Sequence, residues 1–282
     1  MAEASGLPRS FSVKHLGGDF CLLPPPHASS SGMNRPSGTA LVTGAAVRVG
    51  RAIALDLAKN GWAVAVHYSG SAAAAEATAA EIIAAGGQAA TIQCDLSQEA
   101  EVATLVARAA TALGPLTLLV NNASRFEADT IRDATGAGWD AHLDINLKAP
   151  FFLCQAFASQ LPPGAEGNIV NIIDMRVWRL TPFFASYTVS KAGLWTLTQT
   201  LAMALAPRIR VNGIGPGPTL ANVRQTAEQF AKQAASTPLG RGGGPEEIAA
   251  AVRFLISARS MTGQMLALDG GQHLPWPPPA EE

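Results

Sequence analysis

Tyr187 and Lys191 stand four residues apart in "YTVSK", a spacing that sets both on one face of a helix. A free tyrosine keeps its proton up to a pKa of ~10. A neighbouring ammonium favours the phenolate and lowers that value, so the pair suits acid–base work near neutrality. Thirteen residues upstream, Asp174 in "IIDMR" is either a carboxyl that shares and delivers a proton or a structural partner for Arg176. A different chemistry is suggested by "TGAAVRVG", residues 43–50. Gly44 and Gly50 flank a turn, and a helix-length segment from Arg51 would offer its N-terminal amides to a pyrophosphate. Alone, TGxxxxxG is a weak nucleotide signal. Arg48 occupies the place where a third glycine would bring a phosphate close to the backbone.

The next candidate strand ends in "HYSGS", residues 67–71, with no carboxylate. An NAD-binding chain carries Asp or Glu at about this distance to bond the ribose 2′-hydroxyl. Ser71 can instead donate to a 2′-phosphate, His67 can sit beside it, and Arg48 can reach across as a charged donor. The alternative is that Arg48 and His67 are solvated loop residues. The missing acid favours NADPH in either case. Asp95 in "CDLS" is placed either to accept from adenine or to start a helix next to Ser97.

These residues need a scaffold that brings them to one edge. Short apolar runs at 39–43, 63–68, 90–95, 116–122, 168–174, 208–215 and 265–271 read as fully buried strands. Helix-length segments separate them. "SAAAAEATAAEIIAAGG" reads as an ordinary helix packing through alanines with Ile82 and Ile83, and closed by Gly86 and Gly87. Such alternation predicts an α/β fold, one doubly wound Rossmann-type domain with a seven-stranded parallel sheet and helices on both faces. Ligands then bind beyond the carboxyl ends of the strands, where the motifs fall.

The 282 residues are 48% hydrophobic and 15% charged, with net charge -1, which gives no reason to expect a nucleic-acid or anionic-membrane surface. No apolar run is long enough for a membrane span. Cys21, Cys94 and Cys154 form no metal or disulfide spacing and read as two core thiols and one in a tail, as in a reducing cytoplasm. Residues 1–35 read as an N-terminal extension, with Met33 an alternative start, 36–276 as the domain, and 277–282 as a loose tail.

Residues 38–274 resemble the short-chain dehydrogenase/reductase family. The likeness is carried by Gly44 and Gly50, Asp95, "NNAS" at 121–124, Asn146 in "DINLKAP", Tyr187, Lys191 and "GPGPT" at 215–219. It implies that Asn146 holds a water relaying protons to Lys191. It also implies NADPH contacts from Gly44, Arg48, Val49, Gly50, His67, Tyr68, Ser71, Asp95, Leu96, Asn122, Ala123, Tyr187, Lys191, Pro216, Gly217 and Thr219. Two departures are informative: Asp174 replaces the usual serine, and Arg48 the usual glycine. Together with "HYSGSAA" and "NNASRF" they are similar to the pteridine and dihydromonapterin reductases. In that branch Arg48 would touch pyrophosphate and pterin, Asp174 would pair with Tyr187, and Phe126 would stack on the pterin ring, with core packing its alternative. Phe184 would be a second pocket aromatic beside Ser124.

The expected activity is NADPH-dependent reduction of a dihydropterin, such as dihydromonapterin or dihydrofolate, without a metal. A ketone or 3-oxoacyl-thioester reductase is the first alternative and a non-catalytic NADPH sensor the second. The resemblance implies a cytoplasmic homo-tetramer. Trp178, Trp195 and Phe183 read as packing residues, and "ANVRQTAEQFAKQ" as a mobile helical flap over the substrate.

Overall fold

Each of the seven apolar runs becomes a strand: β1 (Gly38–Val42), β2 (Trp62–Tyr68), β3 (Gln88–Gln93), β4 (Leu118–Asn121), β5 (Gly167–Ile172), β6 (Ile209–Pro216) and β7 (Met265–Leu268). The computed structural model of the chain describes residues 37–221 and 225–274. The expected tails at 1–35 and 277–282, with Cys21, lie outside the described residues. All strand pairs are parallel, in the order β3-β2-β1-β4-β5-β6-β7. The chain therefore winds outward from β1 in one direction, then returns and winds from β4 in the other. The β1–β4 seam is the switch point, where the crevice at the strand ends opens.

Helices cover both faces because the central strands are apolar on both. On one side, α1 (Arg48–Lys59), α2 (Ala72–Ala84) and α8 (Pro245–Ser257) pack over Val42, Val64 and Val120. On the other, α3 (Glu99–Leu113), α5 (Ala149–Gln160) and α6 (Ala185–Leu205) enclose Leu41, Leu119 and Val211. Cys94 and Cys154 are buried free thiols. The alanine-rich α2 behaves as expected: Ala75, Thr78, Ala79 and Ile82 are buried, an i, i+3, i+4, i+7 stripe. Ile83, expected to share that stripe, is exposed instead, because one residue further on rotates it by about 100°. Gly86 takes φ +84, and the amides of Gly86 and Gly87 close on the carbonyls of Ile83 and Ile82. That is a Schellman end, which only a residue without Cβ adopts freely.

Two short elements carry site residues. A π-helical turn (Asp144–Lys148) joins α4 (Gly136–Leu143) to α5, and a 3₁₀ turn (Met175–Val177) follows β5. The expected flap contains α7 (Ala227–Ala235), which opens with a reciprocal Thr226–Gln229 capping box. Trp178 and Trp195 pack edge to face, 6.3 Å between centroids, whereas Phe183 is exposed, so the packing role expected for it is not found. Among the described residues, no helix is long and apolar enough to cross a membrane.

Candidate active site

The turn after β1 is built for close approach. Gly44 adopts φ +63, and its amide donates to His67 Nδ1 at 3.0 Å. A Cβ on Gly50 would lie 2.1 Å from the Gly44 carbonyl oxygen, so the loop closes on itself only because this residue is glycine. Thr43 pins the loop to the end of β4: its hydroxyl accepts from the amides of Asn122 (2.9 Å) and Ala123 (3.0 Å). The Asn122 amide group donates back to the carbonyl of Thr43 at 2.8 Å. Helix α1 begins with no side-chain cap and no acidic residue in its first turn. Its leading N–H groups are thus directed at the crevice, the arrangement that suits an anion.

Four of the expected cofactor residues, His67, Tyr68, Asp95 and Leu96, have side chains engaged within the protein. His67 is not a charged donor, because it is 1% exposed, with Nδ1 occupied by Gly44 and Nε2 facing the Cys94 carbonyl at 3.0 Å. Burial lowers its pKa to about 4, so it is neutral and acts as a strut beneath the loop. Asp95 Oδ1 accepts from both the amide and the hydroxyl of Ser97, which is the helix-entry alternative. Leu96 is buried in the second core and Tyr68 packs partly against the first. Ser71 is exposed at the start of α2 and free to meet a ligand.

On the other side of the crevice, the Tyr187 hydroxyl donates to Asp174 Oδ2 at 2.8 Å. Asp174 Oδ1 accepts from the Arg176 amide at 2.8 Å and thereby starts the 3₁₀ turn. The Arg176 guanidinium makes no ion pair with Asp174; it bonds Thr181 Oγ1 and lies 4.7 Å over the Phe184 ring. The partner role considered for Asp174 is therefore met by the backbone, leaving its second oxygen for the phenol. Lys191 Nζ donates to the Ile172 carbonyl at 2.8 Å. Burial lowers its pKa to about 8, although the Asp174 charge opposes this.

The expected lowering of Tyr187 by Lys191 is not what these surroundings do. Burial, then the charge of Asp174, then the hydrogen bond to it, push Tyr187 well above its ordinary value. Burial also raises Asp174. Phenol and carboxyl thus form a coupled pair that holds its proton tightly.

The Asn146 side chain is taken up by protein partners. Both protons of its amide donate, to the Arg125 carbonyl (2.9 Å) and Ser190 Oγ (3.0 Å). Its oxygen accepts from the Arg125 amide (2.8 Å) and the Ser124 hydroxyl (3.2 Å). The side chain is therefore saturated and fixes the backbone at 124–125, leaving only its carbonyl for any water relay. Next to this anchor, Phe126 stacks on Phe184 at 4.6 Å with rings 7° apart and meets the Tyr187 ring edge to face. Phe126 also lies on the wall of both cavities, outside the buried core clusters.

Two cavities meet here. One, of about 430 Å³, runs from Gly44, Gly50 and Ala123 past Ile172 to Lys191. The other, of about 450 Å³, extends from Asp174 past Thr219 to Phe230 and Gln272. Arg48, Val49, Phe126, Tyr187, Pro216 and Gly217 line both. His67, Tyr68, Ser71, Asp95 and Leu96 line neither. Arg48 is in the left-handed region at φ +55, a conformation that costs a non-glycine residue about 1–2 kcal/mol. Its guanidinium donates to the carbonyls of Ala221 (2.8 Å) and Leu220 (3.2 Å) and so clasps the segment after β6. Replacing it isolates both effects. Arg48→Gly is expected to keep or slightly raise the melting temperature while weakening substrate affinity. A melt and a Michaelis analysis check this, and a fall of many degrees would mean that the clasp outweighs the strain.

The family model described as enoyl-(acyl carrier protein) reductase matches residues 44–273. An uncharacterised oxidoreductase of Methylorubrum extorquens is 40% identical over 240 residues, 82% of this chain and 96% of that protein. The chain belongs to the short-chain dehydrogenase/reductase family. A 3-oxoacyl-[acyl-carrier-protein] reductase of Synechocystis is 35% identical over 238 residues, covering 82% and 95% of the two chains. Among solved structures, the FolM alternative dihydrofolate reductase 1 of Brucella suis, in complex with NADP, is 48% identical with a TM-score of 0.83, covering 88% of this chain and 98% of that one. Within this short-chain dehydrogenase/reductase, Thr43 and Ser190 were not expected at the site, and Arg176 was expected only as a partner for Asp174. Thr43 and Ser190 stand inside motifs that were recognised, so their motif position was a usable signal. For Arg176 no local signal exists, since only the fold lays it over Phe184.

Proposed function

We propose that this short-chain dehydrogenase/reductase uses NADPH to reduce a dihydropterin to its tetrahydro form. The observation that carries the reading is the Tyr187–Asp174 hydrogen bond beside the Phe126 ring. The glycine cradle and uncapped start of α1 fit a dinucleotide pyrophosphate, and Ser71 is the available donor toward a 2′-phosphate. The NADP complex of the Brucella relative supports this. When bound, the dinucleotide supplies the hydride.

The chain's own residues do the rest. Reduction of a C=N bond requires a proton at nitrogen. The Tyr187–Asp174 pair holds one in a site away from bulk water and releases it only to a base placed against it. Lys191 holds a positive charge below a pH of about 8, next to the Ile172 carbonyl at the cavity floor. Phe126 packs edge to face with Tyr187 on the wall of both cavities, an aromatic lining that suits a flat heterocycle. The tetramer and cytoplasmic setting implied by the resemblance belong to this proposal. Phe151 on α5, with Val189 and Met203 on α6, are exposed apolar side chains that a second copy would cover.

Reduction of a ketone or 3-oxoacyl thioester is the second reading, favoured by the activity named for the Synechocystis relative. Following NADPH oxidation with dihydromonapterin, dihydrobiopterin, dihydrofolate and a panel of ketones and 3-oxoacyl thioesters separates the two. Turnover of the pterins is expected, with Phe126→Ala raising the pterin KM about two- to tenfold through loss of a stacking surface. Efficient ketone turnover without pterin turnover would overturn the proposal.

A further inference from the structure

Phe184 is the second non-glycine residue at positive φ (φ 60, ψ 47), and it immediately precedes α6. Such a conformation persists only where the surroundings over-determine it. What surrounds it is Asp129, from the loop that carries Phe126. The Asp129 carbonyl accepts from the Phe184 amide at 2.8 Å. Its carboxylate accepts from the Ser186 amide at 3.2 and 3.3 Å and from the Ser186 hydroxyl. The free start of α6 is thus capped by a residue 57 positions away, and a negative charge there also meets the positive end of the helix dipole.

The chain of bonds continues inward. Ser186 Oγ lies 2.7 Å from His142 Nδ1, and His142 Nε2 accepts from the Glu127 amide at 3.1 Å. A backbone N–H only donates, so the imidazole proton sits on Nδ1 and points at Ser186, whose own proton goes to Asp129. Burial lowers His142, which keeps Nε2 an acceptor at neutral pH. His142 and Ser186 are both buried, and the imidazole meets the Tyr187 ring edge to face. The circuit runs from Glu127 to His142 (on α4), Ser186 (on α6) and back to Asp129. It fastens both ends of the segment following Phe126 to the helix that carries Phe184 and Tyr187.

We infer that Asp129, Ser186 and His142 are positioning residues that set the Phe126–Phe184 aromatic wall against Tyr187, and so fix the gap into which a flat substrate slides. None of them lines either cavity, so each acts through the residues it holds. The inference rests on the pterin reading only for the choice of assay substrate.

The test compares Asp129→Ala, Asp129→Asn and Ser186→Ala in the full chain. Asp129→Ala and Ser186→Ala are expected to raise the dihydropterin KM about tenfold or more, the scale of a lost hydrogen bond to a charged group. NADPH affinity should stay within about twofold. Asp129→Asn keeps a carbonyl oxygen for Ser186 and should recover most of the loss. Backbone hydrogen exchange reads the tether without any substrate: segments 125–129 and 184–187 should exchange faster in Asp129→Ala and not in Asp129→Asn. Equal exchange in all three variants would overturn the inference, as would parallel losses of NADPH and pterin affinity tracking a fall in melting temperature. If the unaltered enzyme reduces no pterin, the functional reading fails while the exchange measurement still decides the tether.

Discussion

Asp174→Asn is expected to lower pterin turnover by ~10²–10⁴-fold, the usual contribution of general acid–base assistance, with NADPH affinity nearly unchanged. The aspartate offers two oxygens, one to the Arg176 amide and one to the Tyr187 hydroxyl. An asparagine has a single carbonyl oxygen for the two. If it keeps the Arg176 contact, its NH₂ group turns to Tyr187 and reverses the direction of that bond. Either way, the group that takes up and returns the proton is gone while the volume is preserved. Steady-state turnover and a separate NADPH titration measure the two quantities. Intact pterin reduction in Asp174→Asn would remove the acid–base role and return the site to the ketone-reductase reading.

Gly50→Ala is the second large effect, and it should appear in cofactor binding. The added methyl would stand 2.1 Å from the Gly44 carbonyl oxygen and 2.5 Å from Asn122 Nδ2. Neither neighbour yields easily, since Asn122 is bonded to Thr43 and Gly44 is held by His67. The turn must therefore open, and the amides that would face a pyrophosphate lose their alignment. Forcing a methyl group into such packing typically costs 1–3 kcal/mol, so NADPH affinity is expected to fall roughly ten- to hundredfold. Titration of NADPH fluorescence reads this directly, and a melt shows how much of the loss is shared with folding. Near-normal affinity would mean that the cofactor does not lie on this turn.

Much of the architecture follows from the sequence alone. The inner strands β1, β2 and β4 are near-continuous apolar runs because both faces of a central parallel strand are buried, and this pattern is local, whereas the edge strands β3 and β7, expected to be fully buried, are only partly so. Gly44, Gly50, Tyr187 and Lys191 were legible for a related reason: their roles depend on backbone freedom or on helical spacing, both of which are short-range. Asp174 was found because it departs from a familiar pattern, and the fold then gave it the Tyr187 hydroxyl.

Tertiary structure decided the assignments that depend on which way a side chain points. His67 and Ser71 are four residues apart, yet one is a buried strut and the other is exposed, because His67 lies within β2 and Ser71 stands at the N-cap position of α2. Arg48 sits in the phosphate turn by sequence but spends its guanidinium on carbonyls 172 and 173 positions away. The Asn146 side chain is saturated by protein partners from two other elements, so only its backbone carbonyl is left for the expected water. The rise in the Tyr187 pKa inverts the expectation drawn from Lys191, because spacing reveals the nearby charge but not the loss of water around the phenol. The Asp129–Ser186–His142 circuit has no local signature at all: its members are 13 to 57 positions apart in sequence and become neighbours only when α4, α6 and the loop after β4 fold onto one another. Periodicity and backbone conformation are encoded over a few residues, whereas hydrogen-bond partners and solvent access are set by whatever the completed fold brings alongside.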